Sequence, residues 1–138
     1  GEIEKRGVTV RTELAPATVA GFRVELEQAL SNVLQNAIAA AAPASEIVVR
    51  CSRCREAQEP FRYGARIVIH NRGSGVEPSL RSRLMHPFAS SSAVRGKGLG
   101  LWAANVAVHK HRGRLRFRSG SGITTVSIFL PHVTSVAA

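Results

Sequence analysis

The sequence predicts a two-layer α/β sandwich of the α+β class, with a mixed, mostly antiparallel sheet and helices packed on one of its faces. Three observations predict it. Apolar residues alternate in some segments and recur every three to four residues in others, in the order β-α-β-β-α-α-β-β. The 138 residues, 44% hydrophobic and 20% charged, are enough for a proper core and a single domain spanning residues 1–138. No internal repeat or linker divides the chain.

Taken in order, Gly7 to Leu14 alternates and is β-branched, a strand stopped by Ala15-Pro16. From Val24 to Ala42 the period turns helical. At about 100° per residue, Leu26, Leu30, Val33, Leu34, Ala37, Ile38 and Ala41 share one face. Pro43 ends that helix. Glu46–Ser52 and Arg66–His70 read as strands joined by a charged loop around Gln58-Glu59-Pro60. Glu77-Pro78 opens a short helix through Leu84, with proline in its favoured first turn. Met85 to Lys97, rich in serine and glycine, is a loop. A helix over Leu99–Lys110 follows and closes at Gly113, the expected C-cap, after cationic residues suited to that end of the dipole. Gly113–Arg118 and Thr124–Leu130 pair as a final hairpin around Ser119-Gly120-Ser121-Gly122. In its first strand Leu115 and Phe117 face inward, while Arg114, Arg116 and Arg118 face water.

The balance of 19 Lys+Arg against 9 acidic residues gives +10, which favours anionic partners. Charge alone does not separate nucleotide, nucleic acid, acidic protein or anionic lipid. Nucleic acid is not expected, because stacking on bases needs aromatic rings and only 5% of residues are aromatic. The arginine row reads as a solvated sheet face. No apolar run approaches the roughly 18 residues that span a bilayer, and no signal-peptide pattern opens the chain. This domain is therefore expected to be cytoplasmic and without membrane contact, whether or not its parent protein is membrane-anchored. The start at Gly1-Glu2-Ile3 without Met suggests a fragment of a longer protein. Cys51 and Cys54 form a lone CxxC at the end of a β-branched run, where residues three apart point to opposite faces. Two reduced, unlinked thiols are expected.

Three segments bear on chemistry. Arg95-Gly96-Lys97-Gly98-Leu99-Gly100-Leu101 is a glycine-rich turn running into a helix, where close backbone approach and free N–H groups suit a phosphate. A plain loop is the alternative. Asn32 and Asn36, four apart, place two carboxamides on one flank of the first helix beside its apolar face. They are either a polar flank bonded to solvent or a pair facing a cleft, with an oxygen for a hard cation such as Mg²⁺. Ile67-Val68-Ile69-His70-Asn71-Arg72-Gly73-Ser74-Gly75 is a buried-type strand ending in a Gly-x-Gly turn. It is a simple strand-to-loop turn, or it sets Asn71 on the floor of a pocket whose glycines leave room for a flat ring. The loop through Ser91 to Arg95 and Lys97 carries cations and no acid, as suits a lid over a polyphosphate.

The order and spacing of these segments resemble the ATP-binding domain of sensor histidine kinases, within the superfamily that includes gyrase-type and Hsp90-type ATPases, over nearly the whole chain. Leu26 to Ala37 is similar to that family's N box, and Asn71-Arg72-Gly73-Ser74-Gly75 to its first glycine box. Pro87-Phe88 resembles its F box, Gly96 to Leu101 its second glycine box, and Gly122-Ile123-Thr124-Thr125 its closing segment. The resemblance implies a Bergerat-type fold, ATP and Mg²⁺ as ligands, and a set of roles. Asn36 would be the Mg²⁺ ligand and Asn32 a polar neighbour of the phosphates. Asn71 would meet the adenine amine in a pocket shaped by Gly73 and Gly75. Gly98, Leu99, Gly100 and Leu101 would hold phosphates, Phe88 would anchor the lid carrying Ser91, and Thr124 or Thr125 would sit near the base.

Departures from the family pattern are as informative. Its adenine-reading Asp is Asn71 here and the following Asn is Arg72. The positions after the N box, often a lysine and an aromatic, are Ala39-Ala40. Lys97 or Arg95 is expected to supply the missing cation, so the implied catalytic set is Asn32, Asn36 and Lys97. Hydrolytic relatives carry Glu at the position of Asn32, and an amide cannot accept a proton from water, which favours phosphoryl transfer over hydrolysis. None of His70, His86, His109, His111 and His132 lies in the helical His-Glu or His-Asp context of the family's phosphoacceptor. The implied partners are thus ATP, a dimerisation and histidine phosphotransfer domain of the same protein, and a response regulator. The alternative is a degenerate, non-catalytic nucleotide-binding or protein-interaction module.

Overall fold

The structure, a computed structural model, describes residues 7–56, 61–73 and 98–132. The elements run β1 (Thr9–Leu14), α1 (Arg23–Ala40), β2 (Glu46–Arg55), β3 (Tyr63–Arg72), α2 (Gly98–Lys110), β4 (Arg114–Gly120) and β5 (Ile123–Pro131). One sheet orders them β1-β2-β3-β5-β4, with β1 parallel to β2 and every other pair antiparallel. The expected helix over Glu77–Leu84, the loop over Met85–Lys97 and the loop at Gln58-Glu59-Pro60 lie outside the described residues.

Alternation on the strands builds the helix-facing side of the sheet row by row. Ala65 pairs with Leu130, Ile67 with Ile128 and Ile69 with Val126 across β3 and β5; Leu115 and Phe117 continue the last two rows onto β4. Against them α1 lays Leu26, Ala29, Val33 and Ala37, and α2 lays Leu101, Ala104 and Val108, all buried. Leu30, Leu34 and Ile38 pack at the margin of this core, as their helical spacing requires. Fully burying a Leu, Ile or Val contributes about 1.5–3 kcal/mol, so this seam is the main source of stability. No described helix is long and apolar enough to cross a membrane.

Four expectations shift. The first helix stops at Ala40, not Ala42: Ala41 is already extended (φ −70, ψ 141), and the helical region is disfavoured for Ala42, which precedes Pro43. The Ala42 N–H is thereby freed and bonds Arg72 O at 2.7 Å instead of a helical carbonyl. Strands β2 and β3 are longer than their apolar runs, since pairing continues through Cys54–Gly64 and Arg55–Tyr63 to the Glu56 N–H on Arg62 O. Pairing is a tertiary fact that arginine-rich strand ends conceal. At the end of α2 the left-handed residue is Arg112 (φ 63), not Gly113. The Gly113 N–H reaches Val108 O at 2.8 Å and the Arg112 N–H reaches His109 O at 2.9 Å, a Schellman pair. Gly113 is glycine for a different reason: a Cβ there would lie 2.2 Å from Phe129 O.

The fourth shift concerns Arg114, which does not simply face water. It pairs at 3.1 Å with the buried Glu56, whose carboxylate also receives Arg62 at 2.6 and 3.0 Å. Arg116 and Arg118 are exposed as expected. The hairpin turns through Ser121 (φ 53) and Gly122 (φ 75), a two-residue turn whose handedness suits the strand twist. Cys51 and Cys54 are both free thiols, and burial pushes the Cys51 thiol up.

Candidate functional site

The row beyond Ile69–Val126–Phe117 is polar. Asn71 on β3 pairs with Thr124 on β5, which pairs with Ser119 on β4, all on the helix-facing side. Asn71 and Thr124 are each 3% exposed, and Ser119 Oγ lies 3.3 Å from Thr124 Oγ1. Asn71 Nδ2 is buried without a hydrogen-bond partner among the described residues. A buried donor is costly without an acceptor, and the described residues supply none to Asn71 Nδ2.

Gly73 joins this row to α1. A Cβ at Gly73 would come within 2.1 Å of Ala40 O, and its N–H bonds Gly122 O at 2.9 Å. From Ala40 the same helix flank runs back through Asn36 to Asn32, four residues apart each time. Beside Asn32 stands Gly100 of α2, where a Cβ would lie 3.9 Å from the Asn32 Cβ. Eight residues at 1.5 Å rise put about 12 Å between these two contacts, with Asn36 midway.

Asn32, Asn36, Asn71, Gly73, Gly100 and Thr124 are therefore brought together along one flank and one sheet end. Thr125 is not: it faces the other side of the sheet, its hydroxyl 2.9 Å from His70 Nδ1. Burial, and then the nearby Arg50, lowers the His70 pKa. Leu101 is fully buried in the core, so only its backbone can face a ligand. Gly98, Leu99 and Gly100 lie within the first turn of α2, not ahead of it. Their N–H groups have no intrahelical acceptor, and no acidic residue in that turn opposes an anion. Gly75, Phe88, Ser91, Arg95 and Lys97 lie outside the described residues.

Three further polar residues stand at or near the site. Ser119 extends the polar row; its signal was the alternation Leu115, Phe117, Ser119. Gln28 donates to Asn32 Oδ1 at 3.0 Å, one turn earlier on the helix. That bond uses one of the two lone pairs of the Asn32 oxygen and fixes how its carboxamide is turned. Asn105, 9% exposed with its Oδ1 unpartnered among the described residues, sits one turn beyond Leu101 on α2. Its signal was an amide in an otherwise apolar helix.

Residues 21–134 match the family described as histidine kinase-, DNA gyrase B- and HSP90-like ATPase. The chain is 34% identical over 111 residues to the sensory histidine kinase/phosphatase NtrB of Escherichia coli O157:H7, covering 78% of this chain and 32% of that protein. It is 32% identical over 123 residues to the C4-dicarboxylate transport sensor protein DctB of Rhizobium meliloti, covering 88% of this chain and 19% of that one. Among solved structures it superposes on the mycobacterial sensor histidine kinase MprB with a TM-score of 0.73 at 28% identity, over 94% of this chain and 88% of the other. The chain thus spans about a third or less of the curated relatives it matches.

Proposed function

We propose a function from one premise: the chain belongs to the histidine kinase-, DNA gyrase B- and HSP90-like ATPase family. It is the ATP-binding catalytic domain of a two-component sensor kinase. It takes Mg-ATP and presents the γ-phosphoryl to a histidine on a dimerisation domain of the same protein, from which a response regulator is then phosphorylated. The observation that carries this reading is the single helix flank linking the Asn71–Thr124 row at one end to Gly100 at the other.

The residues fit the ligand. The buried Asn71 amide suits the edge of a base, and the first-turn N–H groups of α2, which have no intrahelical acceptor, suit phosphate oxygens. No group of three or more His, Cys or Glu side chains able to hold a metal lies among the described residues. A divalent cation would here be held by the Asn36 carboxamide oxygen, with phosphate and water supplying its remaining ligands, as suits Mg²⁺. Magnesium, when bound, neutralises charge on the transferring phosphates. The chain's own part is positioning. Asn32, fixed through Gln28, offers no base to activate water, which disfavours hydrolysis. In the transfer, the bond from the γ-phosphorus to the bridging oxygen breaks, a bond to the histidine nitrogen forms, and ADP leaves.

The acceptor histidine lies on another segment in this reading. Both nitrogens of His111 are committed, Nε2 accepting from the Phe22 N–H at 3.0 Å and Nδ1 donating to Ala107 O at 2.7 Å. His70 faces Thr125 on the sheet. The deciding experiment is a calorimetric titration of wild type and Asn36→Ala with ATP, with magnesium and with chelator. Binding that strengthens with magnesium in the wild type, and loses that dependence in the variant, is the expected result. The absence of both heat and a thermal shift at millimolar Mg-ATP overturns the reading in favour of a non-catalytic interaction module.

A further inference from the structure

The base end of the site carries an amide where a carboxylate would read only one kind of purine edge. Asn71 is 3% exposed, and its Nδ2 finds no acceptor among the described residues. Its neighbours in the row, Thr124 and Ser119, are hydroxyls that serve as donor or acceptor. The chain contains no aspartate anywhere, all nine of its acidic residues being glutamate. No carboxylate appears in α1 after Glu27, or at the end of β3 that carries Asn71.

A carboxamide offers one donor group and one acceptor, and exchanges them by turning over about its last bond. With Oδ1 toward the purine 6-position it accepts from an amine and donates to ring nitrogen N1, the pattern of adenine. With Nδ2 toward that position it donates to a carbonyl oxygen and accepts from N1–H, the pattern of a 6-oxopurine. Both arrangements form two hydrogen bonds. A carboxylate has no donor, and facing a 6-oxo group would set two acceptors against each other.

We infer that Asn71 makes this site indifferent to the substituent at purine C6, so that 6-oxopurine nucleoside triphosphates bind alongside ATP. The inference rests on the nucleotide-binding function proposed above and names the substrate class of that same site. Inosine triphosphate is the probe, because it changes the 6-position and the N1 proton and adds no 2-amino group.

The test measures Kd for Mg-ATP and Mg-ITP by calorimetry on the 138-residue chain and on Asn71→Asp and Asn71→Ala. In the wild type the two constants are expected within about threefold of each other, since each ligand makes the same number of neutral bonds. Asn71→Asp is expected to favour ATP over ITP by about 30-fold or more, as a site lacking the matching donor rejects the analogue. Asn71→Ala is expected to weaken both by about tenfold and equally. A wild type preferring ATP by tenfold or more overturns the inference and leaves the proposed function standing. Unchanged affinities in Asn71→Ala overturn it too, because equal binding would then come from the phosphates alone. No binding of either nucleotide removes the functional reading and this inference together. Should Asn71→Asp fail to fold, the wild-type ratio and Asn71→Ala still decide.

Discussion

Replacing Gly73 by alanine tests whether the end of β3 is as tightly seated on α1 as the geometry requires. The new Cβ would stand 2.1 Å from Ala40 O and 3.5 Å from Ala42 N. Both neighbours are backbone, so no rotamer change relieves the overlap. Reaching even a tight 3.0 Å contact takes a displacement of roughly 1 Å at the junction of helix and strand, the kind of overpacking that costs about 1–3 kcal/mol. The same shift strains the Gly73 N–H bond to Gly122 O and the Ala42 N–H bond to Arg72 O. Each contributes about 1 kcal/mol. Alanine returns about 0.4–1 kcal/mol by restricting the unfolded chain. The net expectation is a loss of about 2 kcal/mol, roughly 6–10 °C in Tm for a domain of this size. Urea and thermal unfolding followed by circular dichroism measure it, with Gly120→Ala as control, since a Cβ at Gly120 meets nothing within 4 Å. Equal midpoints for the two variants would refute the close seating of Gly73 and with it the rigid link between Asn71 and α1.

Gly100→Ala should behave oppositely: its Cβ has ordinary room beside Asn32, so the free chain gains about 0.5–1 kcal/mol in helix stability while Mg-ATP binding weakens in the same preparation. Undiminished affinity by calorimetry would remove Gly100 from the phosphate site. Arg62 holds the Glu56 carboxyl below its usual range, with Arg114 assisting, so that stability is present above about pH 4.3 and is lost as pH falls through the lowered value. Arg62→Gln is expected to cost about 2 kcal/mol at pH 7 and to flatten the acid limb of a urea-midpoint profile. For His70, burial favours the neutral ring, so stability is full above about pH 6.5 and declines below it toward the lowered pKa. His70→Gln should level the profile across that window, and an unchanged slope would show that His70 is not its source.

The layers of this fold were legible because periodicity records burial. The stripe from Leu26 to Ile38 and the alternation of Leu115 and Phe117 each follow from which side meets the core. Pairing was not legible where it carries no apolar signature. The outer ends of β2 and β3 hold Arg53, Arg55 and Tyr63, and only the ladder to Gly64 shows them to be strand. The C-cap was misplaced by one residue for a related reason: glycine is marked in the sequence, yet its cause, Phe129 O beside Gly113, comes from a strand sixteen residues later. In the site, the amide spacing of Asn32 and Asn36 was visible as helix geometry. The separation of Thr124 from Thr125 was settled only by β5 register, which sends one to Asn71 and the other to His70.

Two glycines at the ends of one helix flank are glycine for different reasons, and the difference bears on what the flank serves. Gly73 is explained wholly by the fold, because Ala40 O occupies the space of a side chain. Among the described residues Gly100 is not, since the nearest described atom to its absent Cβ is at 3.9 Å and a glycine within a helix costs about 0.5–1 kcal/mol against alanine. That cost has no return within the described residues. At the other end of the flank the buried Asn71 Nδ2 likewise has no partner there, and an unmet buried donor costs about 1–3 kcal/mol. The contacts that seat these two ends on α1, Gly73 on Ala40 and Gly100 on Asn32, lie about 12 Å apart, with Asn36 between them in the helix. An elongated ligand offsets both costs at once if it brings a hydrogen-bond acceptor on a flat ring to Asn71 and negative charge to the first turn of α2. A nucleoside triphosphate has that distribution, so the case for it stands on the chain's own unmet groups as well as on family likeness.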